Sequence, residues 1–286
     1  MTLTLDAELA GLDALDTAPA TRRTWARRLW AGTWPKLFAL GAALLGWQVV
    51  VWSGWKPDYV LPGPTQVLPR LVEDLSAADT WRAVATTMRR AVTGFAMAIG
   101  IGLTIGVLVA QWRVVRSGIG MLITGLQTMP SITWFPLAML LFQISEAAIL
   151  FVVVLGAAPS VANGVIAGID QVPPLFRRAG QTLGATGWRA YRYVVLPAAL
   201  PSVVSGLKQG WAFAWRSLLA GELLVIVANQ PSIGARMEME RQFSDAVGLM
   251  SGMILILLIG VIVDSAVFST LDRALRRRRG LLTDES

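Results

Sequence analysis

The sequence contains no cysteine and no histidine among its 286 residues. Without cysteine there is no disulfide and no thiol nucleophile, and without either residue the usual ligands of a zinc site are missing. The absence of histidine also removes the side chain that most often acts as a general acid or base. Because the chain also shows no catalytic group, metal-ligand set or cofactor motif, we expect that it is not an enzyme.

Charge is also scarce, at 15% of the residues, whereas 55% are hydrophobic. A soluble domain carries charge on about a quarter of its residues, so this balance indicates that lipid surrounds much of the chain. Six segments are nearly uncharged over about 20 residues or more, the length that a helix needs to cross a bilayer. They cover residues 36–55, 91–112, 118–143, 146–169, 203–228 and 246–271. We predict an all-α, polytopic membrane protein with six transmembrane helices.

The net charge of +7 comes from basic residues that gather beside the apolar segments. Basic residues mark the cytoplasmic side of membrane helices, so we read them as topology signals and expect no nucleic acid to bind. With both termini in the cytoplasm, sixteen basic residues lie inside, within 22–36, 113–116, 177–192 and 273–279, and seven lie outside. This topology divides the chain into a tail at 1–35, a membrane domain at 36–272 and a basic tail at 273–286 that can contact lipid headgroups.

Two arginines fit this topology less well than the others. Arg89 and Arg90 abut the outer end of the second predicted span. Either their side chains reach the headgroups, or the helix begins earlier and they face protein. The turn at Leu61–Thr65 precedes residues 66–75, for which we predict an amphipathic helix on the outer side.

Small and helix-breaking residues lie at membrane depth. Small residues spaced along the second span permit another helix to approach closely. They are Gly94, Gly100, Gly102 and Gly106. Prolines at 130, 136 and 159 predict kinks in the third and fourth spans, either around a cavity or as purely structural bends.

The loop between the fourth and fifth spans, residues 172–197, differs from every other connection. Pro173 and Pro174 favour the start of a short helix, Gly184 and Gly187 favour its end, and residues 188–194 predict a second short helix before Pro197. The alternation of small and bulky residues favours a surface that docks into a cleft of another protein over a plain connector.

The spacing in this loop resembles that of permease subunits of binding-protein-dependent ATP-binding-cassette (ABC) importers. Their pattern is Glu-Ala-Ala, three residues, Gly, nine residues, a branched aliphatic, any residue, Leu and Pro. The corresponding residues here are Arg178, Ala179, Gly180, Gly184, Val194, Leu196 and Pro197. Arg178 stands in place of the glutamate and Gly180 in place of the second alanine, so the effect of losing the glutamate stays open.

Motifs outside the loop resemble one group within that family, the nitrate, sulfonate, taurine and bicarbonate permeases. They are Leu61–Pro64, Met129–Ser131, Phe135–Leu137, Phe142–Glu146, Gly206–Lys208 and Glu222. The resemblance implies a homodimer, two ATPase subunits that hold ATP and magnesium, and an extracytoplasmic solute-binding protein. It also implies the fold of a type I importer permease in the cell membrane, with short coupling helices in the cytoplasm. An aliphatic sulfonate is our first choice of solute, and a self-sufficient secondary transporter is the alternative.

The resemblance implies the following set of residues for coupling to the ATPase: Arg178, Ala179, Gly180, Leu183, Gly184, Ala185, Trp188, Leu196 and Pro197. For the translocation pathway we predict Met129, Pro130, Arg216 and Glu222. A charged residue in mid-membrane should face protein or water. Arg216 therefore either contacts an anionic solute or forms a structural ion pair. A direct pair with Glu222 is not expected, because residues six apart lie on different faces of a helix.

Overall fold

The computed structural model describes residues 25–278, and every regular element in that range is helical. The α-helices are α1 (Trp25–Trp52), α2 (Pro64–Ser76), α3 (Ala78–Gln111), α4 (Arg113–Thr128), α5 (Phe135–Phe142), α6 (Glu146–Asp170), α7 (Pro174–Thr182), α8 (Trp188–Ala190), α9 (Leu196–Leu224), α10 (Ile233–Gln242), α11 (Ala246–Val263) and α12 (Ser269–Arg278). The predicted all-α class is confirmed. Residues 1–24 and 279–286, which hold parts of both predicted tails, lie outside the described residues.

The chain divides into two units. One covers Met1–Asp58 and contains α1, and the other covers Tyr59–Ser286 and contains the remaining helices. In the first unit, α1 includes the apolar stretch Thr33–Trp52, which is long enough to cross a membrane. The predicted boundaries at residues 35 and 272 stay a prediction.

Four helical stretches in the described range are long and apolar enough to span a bilayer: Thr33–Trp52, Ala78–Gln111, Glu146–Asp170 and Ala246–Leu275. They correspond to the first, second, fourth and sixth predicted spans. Most of the fifth predicted span, 203–228, lies in α9, which has 29 residues, ends at Leu224 and includes Lys208, Arg216 and Glu222. The third is divided among α4, a 3₁₀ turn at Ser131–Trp134 and α5. A count of six spans therefore stays a prediction.

The second span begins much earlier than its hydropathy predicts. Helix α3 starts at Ala78, so Arg89 and Arg90 lie well inside it. Arg90 is only 1% exposed and faces protein, as one of our two alternatives requires. The side chain of Arg89 is 61% exposed and reaches Glu146. Burial and a charge partner thus extend the helix beyond its apolar segment.

Helix α6 forms the centre of the second unit and packs against both α3 and α9. Its side chains Ile149, Val152, Val153 and Val161 are fully buried. Glycines allow the close approach: a Cβ added to Gly102 would lie 2.7 Å from Val161 Cβ. Of the other glycines that we predicted to permit close packing, Gly94 and Gly106 also face α6, whereas Gly100 faces open space.

The contact of α6 with α9 is closer still. A Cβ built on Gly164 would lie 2.6 Å from Gly206 Cα, and a Cβ on Gly206 would lie 2.6 Å from Gly164 Cα. At this point the two backbones touch, which only glycine permits. Small residues at such contacts are typical of helices that associate within membranes, where hydrophobic burial gives little preference for protein over lipid.

At one end of this unit, α2 and α10 pack on α3 and α11. The shared core contains Leu71, Val84, Ile233, Met237 and Leu255. Helix α2 covers the segment predicted to be amphipathic, and it begins with a proline in its first turn, where the missing N–H has no partner to lose. The predicted outer helix is confirmed as a helix.

Candidate functional site

The loop between α6 and α9 is held in place by its own backbone and by one arginine. Helix α7 starts at Pro174, directly after Pro173. Arg177 Nη2 donates a hydrogen bond of 3.0 Å to the carbonyl oxygen of Ile169 near the end of α6. This bond fixes the start of α7 relative to the membrane domain.

Helix α7 ends in a Schellman motif at Gly184. The Ala185 N–H donates to the Gly180 carbonyl at 2.8 Å, and the Gly184 N–H donates to the Gln181 carbonyl at 2.9 Å. Gly184 has a φ of +80°, in the left-handed region that side chains other than glycine rarely adopt. The predicted helix end at Gly184 is confirmed, and its cause is this backbone conformation.

The second part of the loop differs from our prediction of a separate short helix at 188–194. Helix α8 continues through a π-helical turn at Tyr191–Val195 directly into α9. Pro197 lies in the first turn of α9 and has no N–H to donate. The wider π turn carries the helix through this point. The prediction of a break before Pro197 was therefore wrong.

Most of the residues predicted to couple to the ATPase lie on the loop surface. Leu183 is 87% exposed and Trp188 is 78% exposed, and Arg178, Ala179, Gly184, Leu196 and Pro197 are exposed as well. Ala185 is half-buried. Gly180 is buried, and a Cβ there would lie 2.8 Å from Val194 Cγ2. The loop thus presents large apolar side chains on a rigid backbone.

Glu222 of α9 lies in a buried cluster that joins three helices, which we call the clasp: Thr87, Arg90, Glu222, Gln230 and Gly234. Arg90 Nη1 donates to Glu222 Oε1 at 2.9 Å. Thr87 Oγ1 and the Gly234 N–H donate to Glu222 Oε2 at 2.9 and 3.2 Å. Arg90 Nη2 donates to Gln230 Oε1 at 2.8 Å.

The clasp favours a structural role for Glu222. Its side chain is fully buried, and both carboxylate oxygens accept hydrogen bonds from protein donors. The predicted pathway role of Glu222 stays a prediction. Our sequence reasoning missed Arg90 as its partner, although a buried arginine at the end of an apolar span was a signal that a distant carboxylate was needed.

Arg216 lies on a different face of α9 from Glu222, in an open groove of about 500 Å³ between α9 and the α11 to α12 region. The groove is lined by Ser205, Lys208, Gln209, Trp211, Ala212, Trp215, Arg216, Gly260 and Asp264. The Arg216 guanidinium lies 5.8 Å from the centre of the Phe213 ring. Lys208 Nζ pairs with Asp264 Oδ1 at 3.1 Å.

Met129 and Pro130 occupy the break between α4 and the 3₁₀ turn, and both are exposed. Pro159 lies within α6 and lines an apolar cavity of about 490 Å³. The pathway roles predicted for Met129 and Pro130 stay predictions. Over the described range, no three acidic side chains come close enough to hold a metal ion.

A second charged cluster joins the shorter helices α2 and α10, and Ser251 of α11 donates a hydrogen bond to it. Arg236 donates to Asp74 Oδ1 at 2.5 Å and to Glu240 Oε1 at 2.9 Å. Burial alone would raise the pKa of Asp74, but hydrogen bonds from Ser251 and Arg236 hold this pKa below its usual value. Burial raises the pKa of Glu240, whose Oε2 has no hydrogen-bond partner among the described residues.

The chain is similar to several known membrane proteins in sequence and in fold. A family model for binding-protein-dependent transport system inner membrane components matches residues 98–279. The putative aliphatic sulfonates transport permease protein SsuC of Bacillus subtilis (strain 168) is 27% identical over 264 residues, covering 92% of this chain and 94% of that protein. The taurine transport system permease protein TauC of Escherichia coli (strain K12) is 26% identical over 244 residues, covering 84% and 86%.

Permeases named for nitrate import in Synechocystis and for bicarbonate transport in Synechococcus elongatus are each 26% identical over 65% and 72% of this chain, respectively. Among solved structures, inward-facing conformations of the MetNI methionine ABC transporter match with a TM-score of 0.59 and 19% identity, over 69% of this chain and 96% of that chain. At this identity the structural match shows a shared fold.

Proposed function

Since the chain belongs to the family of binding-protein-dependent transport system inner membrane components, we propose that it forms the translocation pathway of an importer for small organic anions. As a member of this family it is an ABC transporter permease of the inner membrane and not an enzyme. The further steps of the proposal concern its partners, its coupling to ATP and its solute.

The observation that carries the proposal is the surface of the loop at 172–197. Leu183, Trp188 and Tyr193 are large apolar side chains that are more than two-thirds exposed. Burying such side chains in a cleft of another protein is favourable by about 1.5–3 kcal/mol each. The Schellman motif at Gly184 and the hydrogen bond from Arg177 hold the backbone of the loop in place. We therefore infer that a displacement of the loop also displaces α6 and α9.

We infer that this loop docks on an ATPase subunit, with two ATPase subunits and two copies of the permease in the complete importer. ATP and magnesium are then held by the ATPase. Closure of the ATPase pair moves the loop, and the loop moves the membrane helices between inward-open and outward-open arrangements. Both termini lie in the cytoplasm, and a solute-binding protein delivers the solute on the other side.

An aliphatic sulfonate, or a related solute such as taurine, which also contains a sulfonate group, is the solute that we propose. The names of two relatives point to this class, since one is a sulfonate permease and the other a taurine permease. An exposed arginine in the groove of α9 fits an anionic solute, because a guanidinium presents forked donors to sulfonate oxygens.

Co-purification of the tagged chain from native membranes, with ATP hydrolysis measured on the same sample, tests the docking of the loop. We expect an ATPase subunit in equal amount for the wild type and its loss for Leu183→Asp, because the change places a charge in an apolar contact. Phe243→Asp is the matched control, since Phe243 is equally exposed but lies between α10 and α11. Full co-purification and full hydrolysis with Leu183→Asp would contradict the proposal.

A second pair of variants tests the backbone of the loop. Gly184 and Gly54 both have positive φ angles and open space around the position of a Cβ. Valine at either position is strained to a similar degree, by about 1–3 kcal/mol. We expect Gly184→Val to uncouple ATP hydrolysis from uptake and Gly54→Val to leave the two coupled.

A further inference from the structure

One face of α9 carries a polar stripe. Ser205, Lys208, Gln209, Ala212 and Arg216 follow one another at helical spacing, and all except Ala212 are exposed. The stripe forms the floor of the groove described above, and Trp211 and Trp215 line the same groove. These two indoles stack with their ring centres 6.2 Å apart. The groove therefore combines a row of polar groups with an aromatic wall.

The two cations of the stripe differ in how their charge is balanced. Lys208 pairs with Asp264 at 3.1 Å, so its charge is matched within the protein. The guanidinium of Arg216 has no ion pair or hydrogen bond with any described residue and lies only beside the Phe213 ring. An unmatched arginine within a membrane helix faces water or a partner and marks a substrate pathway or a counter-ion site.

The chemistry of the groove selects one class of ligand. Because Lys208 and Asp264 balance each other, Arg216 leaves the groove with one net positive charge, which suits a monoanion. The forked donors of a guanidinium match the oxygens of a sulfonate, and Gln209 adds a neutral donor farther along the groove, two turns below Arg216. Trp215, which is half-buried, and the small exposed part of Trp211, which is 8% exposed, offer an apolar surface to the organic part of the ligand.

We propose that this groove is a binding site for an alkanesulfonate monoanion, held at its charged end by Arg216 and along its chain by Trp211 and Trp215. The proposal rests on the function proposed above and gives the permease a selectivity of its own, beyond that of a solute-binding protein. It assigns Lys208 and Asp264 to the structure of the groove and Arg216 to the ligand.

The absence of cysteine allows a direct test, because one introduced cysteine is then the only thiol of this chain. Ala212→Cys places that thiol in the groove, one turn from both Lys208 and Arg216. The permease with its ATPase, in lipid nanodiscs, is reacted with a hydrophilic maleimide with and without butane-1-sulfonate, and labelling of the permease is followed. Phe243→Cys, an exposed position outside the groove, is the control.

We expect butane-1-sulfonate to slow labelling of Ala212→Cys and to leave Phe243→Cys unchanged. Adding Arg216→Gln should raise the concentration that gives half-protection by at least about tenfold, since hydrogen bonds to a charged group are lost. Arg216→Lys should fall between the two. Pentanoate, which carries a carboxylate on a chain of similar length, should protect less well if the site prefers sulfonate oxygens.

No protection of Ala212→Cys, or protection that Arg216→Gln leaves unchanged, would overturn the assignment. A thiol that does not react at all would show that the groove is sealed from water and would overturn it as well. If Ala212→Cys does not assemble, Ser205→Cys reports on the same groove. Co-purified ATPase and its hydrolysis are measured on each sample, so their persistence without protection would reject the groove alone and leave the importer function standing.

Discussion

Helix α9 has one face that packs against α6 and α3 and another that carries Lys208 and Arg216. The charged side chains on the two faces differ in whether other protein groups bind them. On the packed face, Glu222 is fully buried and accepts hydrogen bonds from Arg90, Thr87 and the Gly234 backbone. On the open face, Arg216 is exposed and has no acceptor among the residues described. The same helix therefore contains one charge that is satisfied by the protein and one that is not.

This difference separates charged residues that stabilise the fold from charged residues that are free to bind a ligand. A buried charge whose every hydrogen bond goes to protein stabilises one arrangement of helices, and removing one partner exposes the full desolvation penalty of the other. An unsatisfied charge in a groove has its bonding capacity free for a ligand. The clasp therefore favours a structural role for Glu222, and the open groove supports the ligand role that we propose for Arg216.

The largest effect should come from breaking the clasp. Glu222→Gln keeps the side-chain volume but turns an amide toward the buried guanidinium of Arg90, so we expect a loss of about 3–5 kcal/mol in the free energy of unfolding. Unfolding in mixed detergent micelles measures it. The exposed pair Asp79 and Arg82 provides the control, because Asp79→Asn should change stability by less than about 1 kcal/mol.

A double variant sharpens the same test. Arg90→Met together with Glu222→Gln removes the buried cation that has lost Glu222, and it should recover part of the stability that Glu222→Gln loses alone. Equal stability of Glu222→Gln and the wild type would contradict the division between the two faces of α9.

A smaller loss of stability should follow from disturbing the packing of the buried face of α9. Gly206→Ala adds a Cβ that would lie 2.6 Å from Gly164 Cα, so α6 and α9 must separate, at a cost of about 1–3 kcal/mol. Its neighbour Ser205 points into the groove, and Ser205→Ala should change stability by less than about 0.5 kcal/mol. Thermal unfolding of both variants side by side gives the comparison, and similar melting of the two would remove the distinction between the faces.

The smallest expected change in the free energy of unfolding comes from Glu240, a buried carboxylate with one oxygen that accepts no hydrogen bond from the described residues. Glu240 contacts Arg236, and Asp74 and Asp245 lie near enough to oppose its charge, so burial and these carboxylates raise its pKa. A raised pKa means that Glu240 contributes less stability as the pH rises through that pKa. Glu240→Gln should therefore stabilise the fold at neutral pH, by less than about 1 kcal/mol.

Measuring unfolding as a function of pH checks the sign of this effect. The advantage of Glu240→Gln should shrink as the pH falls, because the wild-type carboxyl then takes up a proton. Asp74, whose pKa is lowered, is present in both proteins, so Asp74→Asn in each background measures how much of the acid-side loss of stability comes from Asp74. An advantage that grows toward acid pH would contradict the assignment.

Much of the fold could be predicted because it depends on local pattern. The apolar run at 146–169 matches α6 almost to the residue, and the Gly184 position in the loop spacing coincides with the left-handed end of α7. The resemblance to binding-protein-dependent permeases, read from the same loop, is confirmed by the family match over residues 98–279. These features follow from hydropathy, helix period and glycine geometry within a few turns of chain.

Other boundaries could not be predicted in this way. Helix α3 begins at Ala78 and includes Arg90, whose buried partner comes from another helix, and α8 runs into α9 through a π turn just before Pro197. Hydropathy alone placed the start of the second span at residue 91 and left the position of its arginines open, and the residue pattern indicated a break before Pro197 that the structure does not have.

Local sequence patterns were therefore enough to predict the helical membrane class, the family and the position of the loop that we propose to dock. The pairing of Glu222 with Arg90, 132 residues away, and the position of Arg216 in a groove without an ion-pair partner among the described residues became visible only in the packed helices. The physical reason is that the partner of a charge depends on which helices are neighbours, and the spacing along one helix contains no information about the surface of another.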